Sequence, residues 1–145
     1  QRGISVMSAL LAAVILSSGM LNATASTTVD TSDVTTYRQG LLEELQHDQQ
    51  PIFLNVTADW CITCLANERV ALSSATVKQR FDELGVRYVK ADWTNQDDKI
   101  TQLLADYQRS GVPLYVYFPG GSAKPIVLPQ LLSVDTLLAI FSKSS

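Results

Sequence analysis

The sequence predicts an α/β domain in which helices flank a central mixed sheet of four strands, preceded by a hydrophobic N-terminal helix. The α/β prediction depends on two observations. Short apolar, β-branched runs alternate with segments of helical periodicity, which is typical of parallel strands joined by right-handed crossovers. Two further runs are separated only by a Pro-Gly-Gly-Ser turn at residues 119–122, which indicates a terminal antiparallel hairpin. With 145 residues, the chain is long enough for one domain with an ordinary core.

The individual elements follow from periodicity and from the residues that end helices. The helices are predicted over residues 33–50, 61–72, 74–84, 98–108 and 133–141, and the strands over residues 52–57, 86–91, 113–118 and 125–128. Pro51 ends the first helix, and Gly85 ends the third, as glycine commonly does at a helix C-terminus. The strand over residues 52–57 is mostly apolar and β-branched, so we expect it to be central and buried on both faces.

The N-terminal block, residues 4–21, contains no charged residue. As a helix it would span about 27 Å, at the short end for crossing a bilayer. One reading is a transmembrane helix whose N-terminus is cytoplasmic, because Arg2 precedes it. The other is a secretory signal, because Ala-Thr-Ala at residues 23–25 fits a cleavage site. The chain begins at Gln1 rather than Met, so we expect a piece of a longer protein, which favours the membrane helix over the signal.

We therefore divide the chain into three parts. Residues 1–21 are a transmembrane helix or signal segment, residues 22–34 a polar linker, and residues 35–145 the folded domain. A buried core helix is a weaker reading of the first part, because the block has no polar face. Both leading readings place the domain outside the cytosol.

The charge of the chain is nearly balanced, with 11 basic and 14 acidic residues. No cluster of basic residues appears in the sequence. Nucleic-acid binding therefore has little support.

The only two cysteines, Cys61 and Cys64, follow a predicted strand and open a predicted helix. A disulfide across so short a loop would stabilise the fold by only about 2 kcal/mol. It is therefore better suited to reversible reduction and oxidation than to stabilising the fold. At a helix N-terminus, unpaired N–H groups and the helix dipole lower a thiol pKa. We expect Cys61 to be an exposed, easily ionised nucleophile, and Cys64, three residues on, to be the more buried resolving thiol.

Three other readings of the cysteines stay open. They could be two reduced core cysteines, although their spacing argues against it. A zinc site would need four ligands, and only the distant His47 could join them. Copper(I) needs fewer thiolates, so a copper(I)-binding module is the alternative function. We expect no metal site. We also expect no organic cofactor, because no nucleotide-binding glycine motif appears. The expected redox group is the Cys61–Cys64 disulfide itself.

Three segments carry a resemblance to a known family. They are residues 56–64 (Val-Thr-Ala-Asp-Trp-Cys-Ile-Thr-Cys), 91–95 (Ala-Asp-Trp-Thr-Asn) and 109–115 (Arg-Ser-Gly-Val-Pro-Leu-Tyr). Together they resemble the C-terminal, thioredoxin-like domain of the DsbD/ScsB family of transmembrane thiol:disulfide interchange proteins. The resemblance covers about residues 35–142, and it implies a thioredoxin-like fold.

The resemblance also implies roles for particular residues. Val112 and Pro113 match the positions that bind extended substrate backbone, and the proline is expected to be cis. Glu68 matches one of two acidic residues that assist proton transfer. Asn55 stands where the family has the other, an Asp, and an amide does not take a proton at neutral pH. Independently of the resemblance, Trp60 is expected to form an apolar rim around Cys61 that docks partner proteins.

The sequence is therefore interpreted as a protein-disulfide reductase domain. By resemblance, it is anchored in the bacterial inner membrane by the N-terminal helix and faces the periplasm. It would receive electrons from a membrane domain and pass them to periplasmic thiol–disulfide proteins. An interaction domain with an inert disulfide is a further alternative.

Overall fold

The computed structural model describes residues 34–121 and 123–143, which form one sheet with helices on both faces. The strands are β1 (Thr35–Thr36), β2 (Ile52–Thr57), β3 (Arg87–Asp92), β4 (Leu114–Phe118) and β5 (Ile126–Val127). The helices are α1 (Leu41–His47), α2 (Ile62–Asn67), α3 (Ala75–Leu84), α4 (Asp98–Asp106) and α5 (Val134–Lys143), and a π-helical segment, Glu68–Leu72, follows α2.

The sheet is mixed, with strand order β1-β3-β2-β4-β5. β3 runs parallel to both β1 and β2, whereas β4 is antiparallel to β2 and to β5. All six residues of β2 are buried, because the strand is paired on both edges and covered on both faces. The predicted central strand, terminal hairpin and mixed sheet are thus confirmed.

Two apolar clusters fill the space on either side of the sheet. The first joins α1 and α4 to one face of β2, β3 and β4. The second joins the π-helical segment, α3 and α5 to the other face, around Phe53, Phe81 and Phe141. Side chains alternate between the faces along β2, so Leu54 enters the first cluster and Phe53 the second. The helix carrying the cysteines therefore lies over the face from which Phe53 projects.

The prediction of four strands is wrong, because the sheet has five. β1 lies in the segment that was predicted to begin the first helix, and it pairs with β3 through Thr35–Val89 and Thr36–Lys90. The first helix starts only after Gly40, whose φ of 82° is left-handed. A two-residue strand has no alternation to detect, and its assignment depends on the partner strand about 50 residues later.

The predicted continuous helix over residues 61–72 is also corrected. Its first part is α-helical, but residues from Glu68 onward form the π-helical segment. Such wide turns insert a residue into the helical repeat and are not visible in apolar periodicity.

The hydrophobic helix predicted over residues 4–21 lies outside the described residues, as does nearly all of the linker. Within residues 34–121 and 123–143, no helix has the length and apolar character needed to cross a bilayer.

Candidate active site

The two cysteines are joined in a disulfide at the point where the sheet meets α2. The Sγ atoms lie 2.05 Å apart, and the Cα atoms 5.2 Å apart. β2 ends at Thr57, and a turn follows in which the N–H of Cys61 donates to the carbonyl of Ala58 at 3.0 Å. Cys61 is the N-cap residue of α2, so the strand and the turn deliver its sulfur to the first turn of the helix, as predicted.

The sulfur of Cys61 accepts a hydrogen bond from the backbone N–H of Cys64 at 3.2 Å. This N–H belongs to the first turn of α2, where backbone donors lack helical acceptors. When the disulfide is reduced, the same N–H and the helix dipole favour a thiolate on Cys61. The geometry supports ionisation of the first cysteine rather than the second.

The burial of the two cysteines differs from the prediction in one respect. Cys64 has no exposed surface, so the expectation that it is the more buried thiol is confirmed. Cys61, however, is only 7% exposed, and the predicted exposed nucleophile is wrong in degree. Ala58 and the half-buried Val112 pack against the pair and cover it. A partner would reach the Cys61 sulfur only through the small opening left on the protein surface.

The segment before β4 lies beside the cysteines. The Val112–Pro113 peptide bond is cis, as the resemblance implies, and Pro113 is buried. Val112 is half-buried and contacts the cysteine cluster. Gly111 approaches the ring of Trp93, where a β-carbon would lie 3.8 Å from it. The tertiary fold thus brings residues 111–113 next to residues 61–64.

Glu68 lies four residues after Cys64, and its carboxylate is held by neighbours on two strands. Asn55 of β2 donates from Nδ2 to Oε1 at 3.1 Å, and the Lys90 ammonium of β3 lies 3.1 Å from the same oxygen. The Glu68 side chain is partly buried rather than fully solvated. Asn55 also donates to the Tyr88 hydroxyl at 2.8 Å. The structure therefore places Glu68 in a polar cluster under the helix that carries the cysteines.

Within this cluster, Asn55 is fully buried and Tyr88 is partly buried. Burial strongly raises the pKa of Tyr88, so its hydroxyl stays protonated at physiological pH. Asn55 has no exposed surface, and its Oδ1 atom has no hydrogen-bond partner among the described residues. Asn55 is thus a fixed neutral group at a position where the family that this chain resembles has a carboxylate.

Trp60 forms part of an exposed apolar surface beside the disulfide. Its side chain is 53% exposed, and its indole N–H donates to the carbonyl of Thr94 at 3.1 Å. The ring lies 6.0 Å from that of Trp93. Ile62 and Leu65, which lie one and four residues after Cys61 on α2, are also exposed. The role of Trp60 in docking partner proteins stays a prediction.

Sequence reasoning missed Asn67. It is buried, and its Nδ2 donates to the Tyr115 hydroxyl at 3.0 Å and to the carbonyl of Gln130 at 2.6 Å. Its Oδ1 accepts the backbone N–H of Leu132 at 3.0 Å. One signal was available, because Asn67 lies three residues after Cys64 and so shares its buried helix face. Asn67 ties α2 to β4 and to the segment before α5.

The described residues contain no group of three or more histidine, cysteine or acidic side chains arranged to hold a metal ion. His47 lies at the end of α1 with its side chain 91% exposed, beside Asp48. The structure does not bring it to the cysteines.

Comparison with known proteins places this geometry in a family. A family model described as thioredoxin-like matches residues 33–120. The chain belongs to the thioredoxin-like family. Its disulfide at a helix N-terminus, beside a cis-proline, is therefore set in a thioredoxin-like domain.

The chain is also similar to DsbD proteins, the family that its sequence motifs resemble. The thiol:disulfide interchange protein DsbD of Campylobacter jejuni is 24% identical over 98 residues, which are 68% of this chain and 17% of that protein. DsbD 1 of Pseudomonas aeruginosa is 35% identical over 81 residues, covering 55% of this chain and 13% of the relative. The predicted similarity to the DsbD family is confirmed, and the chain spans less than a fifth of the length of these relatives.

Solved thioredoxin-like structures show the same fold. The C-terminal domain of Neisseria meningitidis DsbD in its oxidised form matches with a TM-score of 0.59 and 20% identity, over 78% of this chain and 100% of that one. Chloroplastic thioredoxin z matches with a TM-score of 0.58 and 19% identity, over 77% of this chain and 94% of that one.

Proposed function

We propose that this thioredoxin-like domain is a protein-disulfide reductase that works by thiol–disulfide exchange between Cys61, Cys64 and a partner disulfide. The observation that carries the proposal is the asymmetric disulfide at the start of α2. The Cys61 sulfur accepts a first-turn N–H and is slightly exposed, whereas Cys64 is fully buried. Such asymmetry suits an attacking and a resolving thiol.

The exchange has two steps, and electrons balance in each. The Cys61 thiolate attacks one sulfur of the partner disulfide, so a mixed disulfide forms and the partner's other sulfur leaves as a thiolate. Cys64 then loses its proton and attacks the Cys61 sulfur, which releases the partner's second thiolate. The domain ends with the Cys61–Cys64 disulfide, and the partner has gained two electrons.

Glu68 is proposed to accept the proton that Cys64 loses. It lies one helical turn from Cys64 and is held in place by Asn55 and Lys90. Because Asn55 carries no titratable proton, Glu68 would perform alone a task that two carboxylates share in the resembling family.

The partner is proposed to dock along residues 112–113 and on the apolar rim formed by Trp60, Ile62 and Leu65. Val112 packs against the cysteine cluster, and Trp60, Ile62 and Leu65, all within four residues of Cys61, are exposed. An extended segment of the partner beside Val112 would bring its disulfide to the entrance over Cys61.

The setting of this chemistry is also a proposal. The DsbD relatives are thiol:disulfide interchange proteins, and this chain matches only a small part of each. We infer a periplasm-facing domain of a longer inner-membrane protein, joined by the hydrophobic segment at residues 4–21. A membrane domain of that protein would supply the electrons.

The decisive experiment combines activity with trapping. The purified domain should reduce insulin disulfides in the presence of dithiothreitol, and Cys61→Ala should abolish this activity. The Cys64→Ala variant, expressed in the periplasm, should accumulate mixed disulfides with partner proteins, and a reductant should cleave them. The Cys61→Ala/Cys64→Ala double variant should form none. Stoichiometric copper on the purified protein together with no insulin reduction would instead establish the copper(I) module and overturn the proposal.

A further inference from the structure

A groove of about 320 Å³ opens beside the redox site. One wall is the segment between α4 and β4, and the other is the segment before α5; the lining residues are Gln108, Arg109, Ser110, Gly111, Val112 and Gln130. Most of this lining is polar, in contrast to the apolar rim around Trp60. The groove is therefore a separate surface with its own chemistry.

One wall of the groove contacts the cysteines, and the other is hydrogen-bonded to the helix that follows Cys61. Val112 lines the groove and also packs against the Cys61–Cys64 cluster. The carbonyl of Gln130 accepts the 2.6 Å hydrogen bond from Asn67, which lies three residues after Cys64 on α2. A chain segment lying in the groove would consequently have residues close to any disulfide that Cys61 attacks.

Arg109 gives the groove an uncompensated positive charge. No acidic residue lines the groove, and among the described residues Arg109 takes part in none of the ion pairs. The side chain is half-buried, so its charge is less screened than that of a fully exposed arginine. A guanidinium in this position presents a planar fork of donors that matches a carboxylate.

We propose that Arg109 is a specificity-determining residue that selects partner disulfides flanked by an acidic side chain. The inference depends on the reductase function proposed above and names the class of partner. A Glu or Asp close in sequence to the target cysteine lies in the groove and pairs with Arg109, while the cysteine reaches Cys61. The pair orients the partner before exchange and takes no part in electron transfer.

The test compares peptides that differ only in charge. Each peptide carries one intramolecular disulfide. In each, one of the six positions within three residues of one chosen cysteine is varied, and that position carries a Glu, a Gln or a Lys. The second-order rate constant for reduction by the reduced domain is measured at low and high salt. At the best position, Glu should exceed Gln by about tenfold at low salt, with Lys slowest, and added salt should compress the difference.

The variant series assigns this preference to one side chain. Arg109→Gln should bring the Glu-to-Gln rate ratio close to one, and Arg109→Glu should favour Lys. The matched control is Lys124→Gln, which removes an exposed cation outside the groove and should keep the wild-type ratio. The ratio is the readout because a general loss of rate cancels from it.

The outcomes separate the two proposals. If the wild-type domain reduces none of the peptides, the reductase function itself is overturned, and this inference with it. If it reduces them all at rates independent of charge, or if Arg109→Gln keeps the preference for Glu, the reductase function stands and the role of Arg109 is wrong.

Discussion

The amide nitrogen of Asn55 lies 3.1 Å from the carboxylate of Glu68, so a buried neutral side chain on the central strand holds the acidic residue that directly follows the cysteine-bearing helix. The second Nδ2 proton serves Tyr88 at 2.8 Å. With both donors used, Asn55 fixes where the Glu68 carboxylate lies. Glu68 is the one carboxyl group in this cluster with Asn55, Tyr88 and Lys90, and it is the group proposed above to accept the Cys64 proton.

The first prediction concerns Glu68. Glu68→Gln keeps the shape of the side chain but removes the proton acceptor, so deprotonation of Cys64 should slow and the mixed disulfide with Cys61 should accumulate. We expect resolution to slow by about a hundredfold, the lower end of the range for a lost general base. Rapid acid quenching followed by mass analysis gives the lifetime of the mixed disulfide. Glu83→Gln, on the exposed surface of α3, is the control and should leave that lifetime unchanged.

The second prediction concerns Asn55→Asp, which places a buried carboxyl beside that of Glu68. Desolvation and like charge raise the pKa of the introduced carboxyl above its unfolded value of about 3.9. Below that value the carboxyl is protonated in both states and adds no charge. As pH rises, the unfolded state loses the proton first, so the free energy of unfolding falls until pH passes the raised folded pKa.

Each unit by which that pKa is raised should cost about 1.4 kcal/mol at neutral pH. Urea midpoints measured from pH 4 to pH 8 for Asn55→Asp and wild type give the difference. A difference that stays constant over this range would contradict the placement of Asn55 against Glu68.

The third prediction concerns Trp60→Ala. The indole is half-exposed and contributes one hydrogen bond to Thr94, so the free energy of unfolding should fall by only about 1 kcal/mol. If the rim docks partners, the rate of reduction of a folded protein disulfide should drop several-fold, while reduction of a small disulfide such as hydroxyethyl disulfide changes much less. Val127→Ala, an exposed apolar residue on β5, is the control. Equal losses on both substrates would indicate that Trp60 acts on the cysteines rather than on docking.

The fourth prediction concerns Asn67→Ala. The substitution leaves the Tyr115 hydroxyl and the Gln130 and Leu132 backbone groups without their buried partner. Since an unsatisfied buried group costs about 1–3 kcal/mol, the free energy of unfolding should fall by about 2–4 kcal/mol. Urea denaturation measures the loss. The matched control is Asn95→Ala in the exposed loop before α4, where the change should stay within about 0.5 kcal/mol.

The fifth prediction concerns Asp92, whose carboxylate accepts hydrogen bonds from the Thr94 hydroxyl and, at 2.9 Å, from its backbone N–H. These bonds lower the pKa of Asp92 below its ordinary value of 3.8. A lowered folded pKa stabilises the domain above the unfolded value, and this contribution is lost as pH falls through the folded pKa. Urea midpoints between pH 2 and pH 6 should therefore decline less steeply in Asp92→Asn than in wild type. Parallel curves for the two proteins would contradict the assignment.

Much of the fold was predictable because it depends on local patterns. β2 is almost entirely apolar, and α4 has apolar residues at helical spacing, so their identities follow from periodicity. Gly85 ends α3 with a φ of 64°, as its position after the last apolar residue indicated. β1 was missed, because two threonines become a strand only when β3 offers them backbone partners.

The candidate site divides in the same way. Cys61 and Cys64 are three residues apart, so their pairing and their order of burial follow from helix geometry. Ala58 is a near neighbour in sequence, but the rest of the cover over Cys61 comes from Val112, which lies about 50 residues later in the chain. That cover depends on how β4 is placed beside β2, and no local pattern encodes it.

The chain's own pattern was enough to establish alternating strands and helices and a cysteine pair at a helix start, because both arise from interactions between near neighbours. Contacts between distant segments decided three further features: the burial of Cys61, the fifth strand, and the hydrogen bond and ion pair that Asn55 and Lys90 make with Glu68. Such contacts exist only after the sheet has assembled, because their geometry depends on strand order and on the helix packing above it.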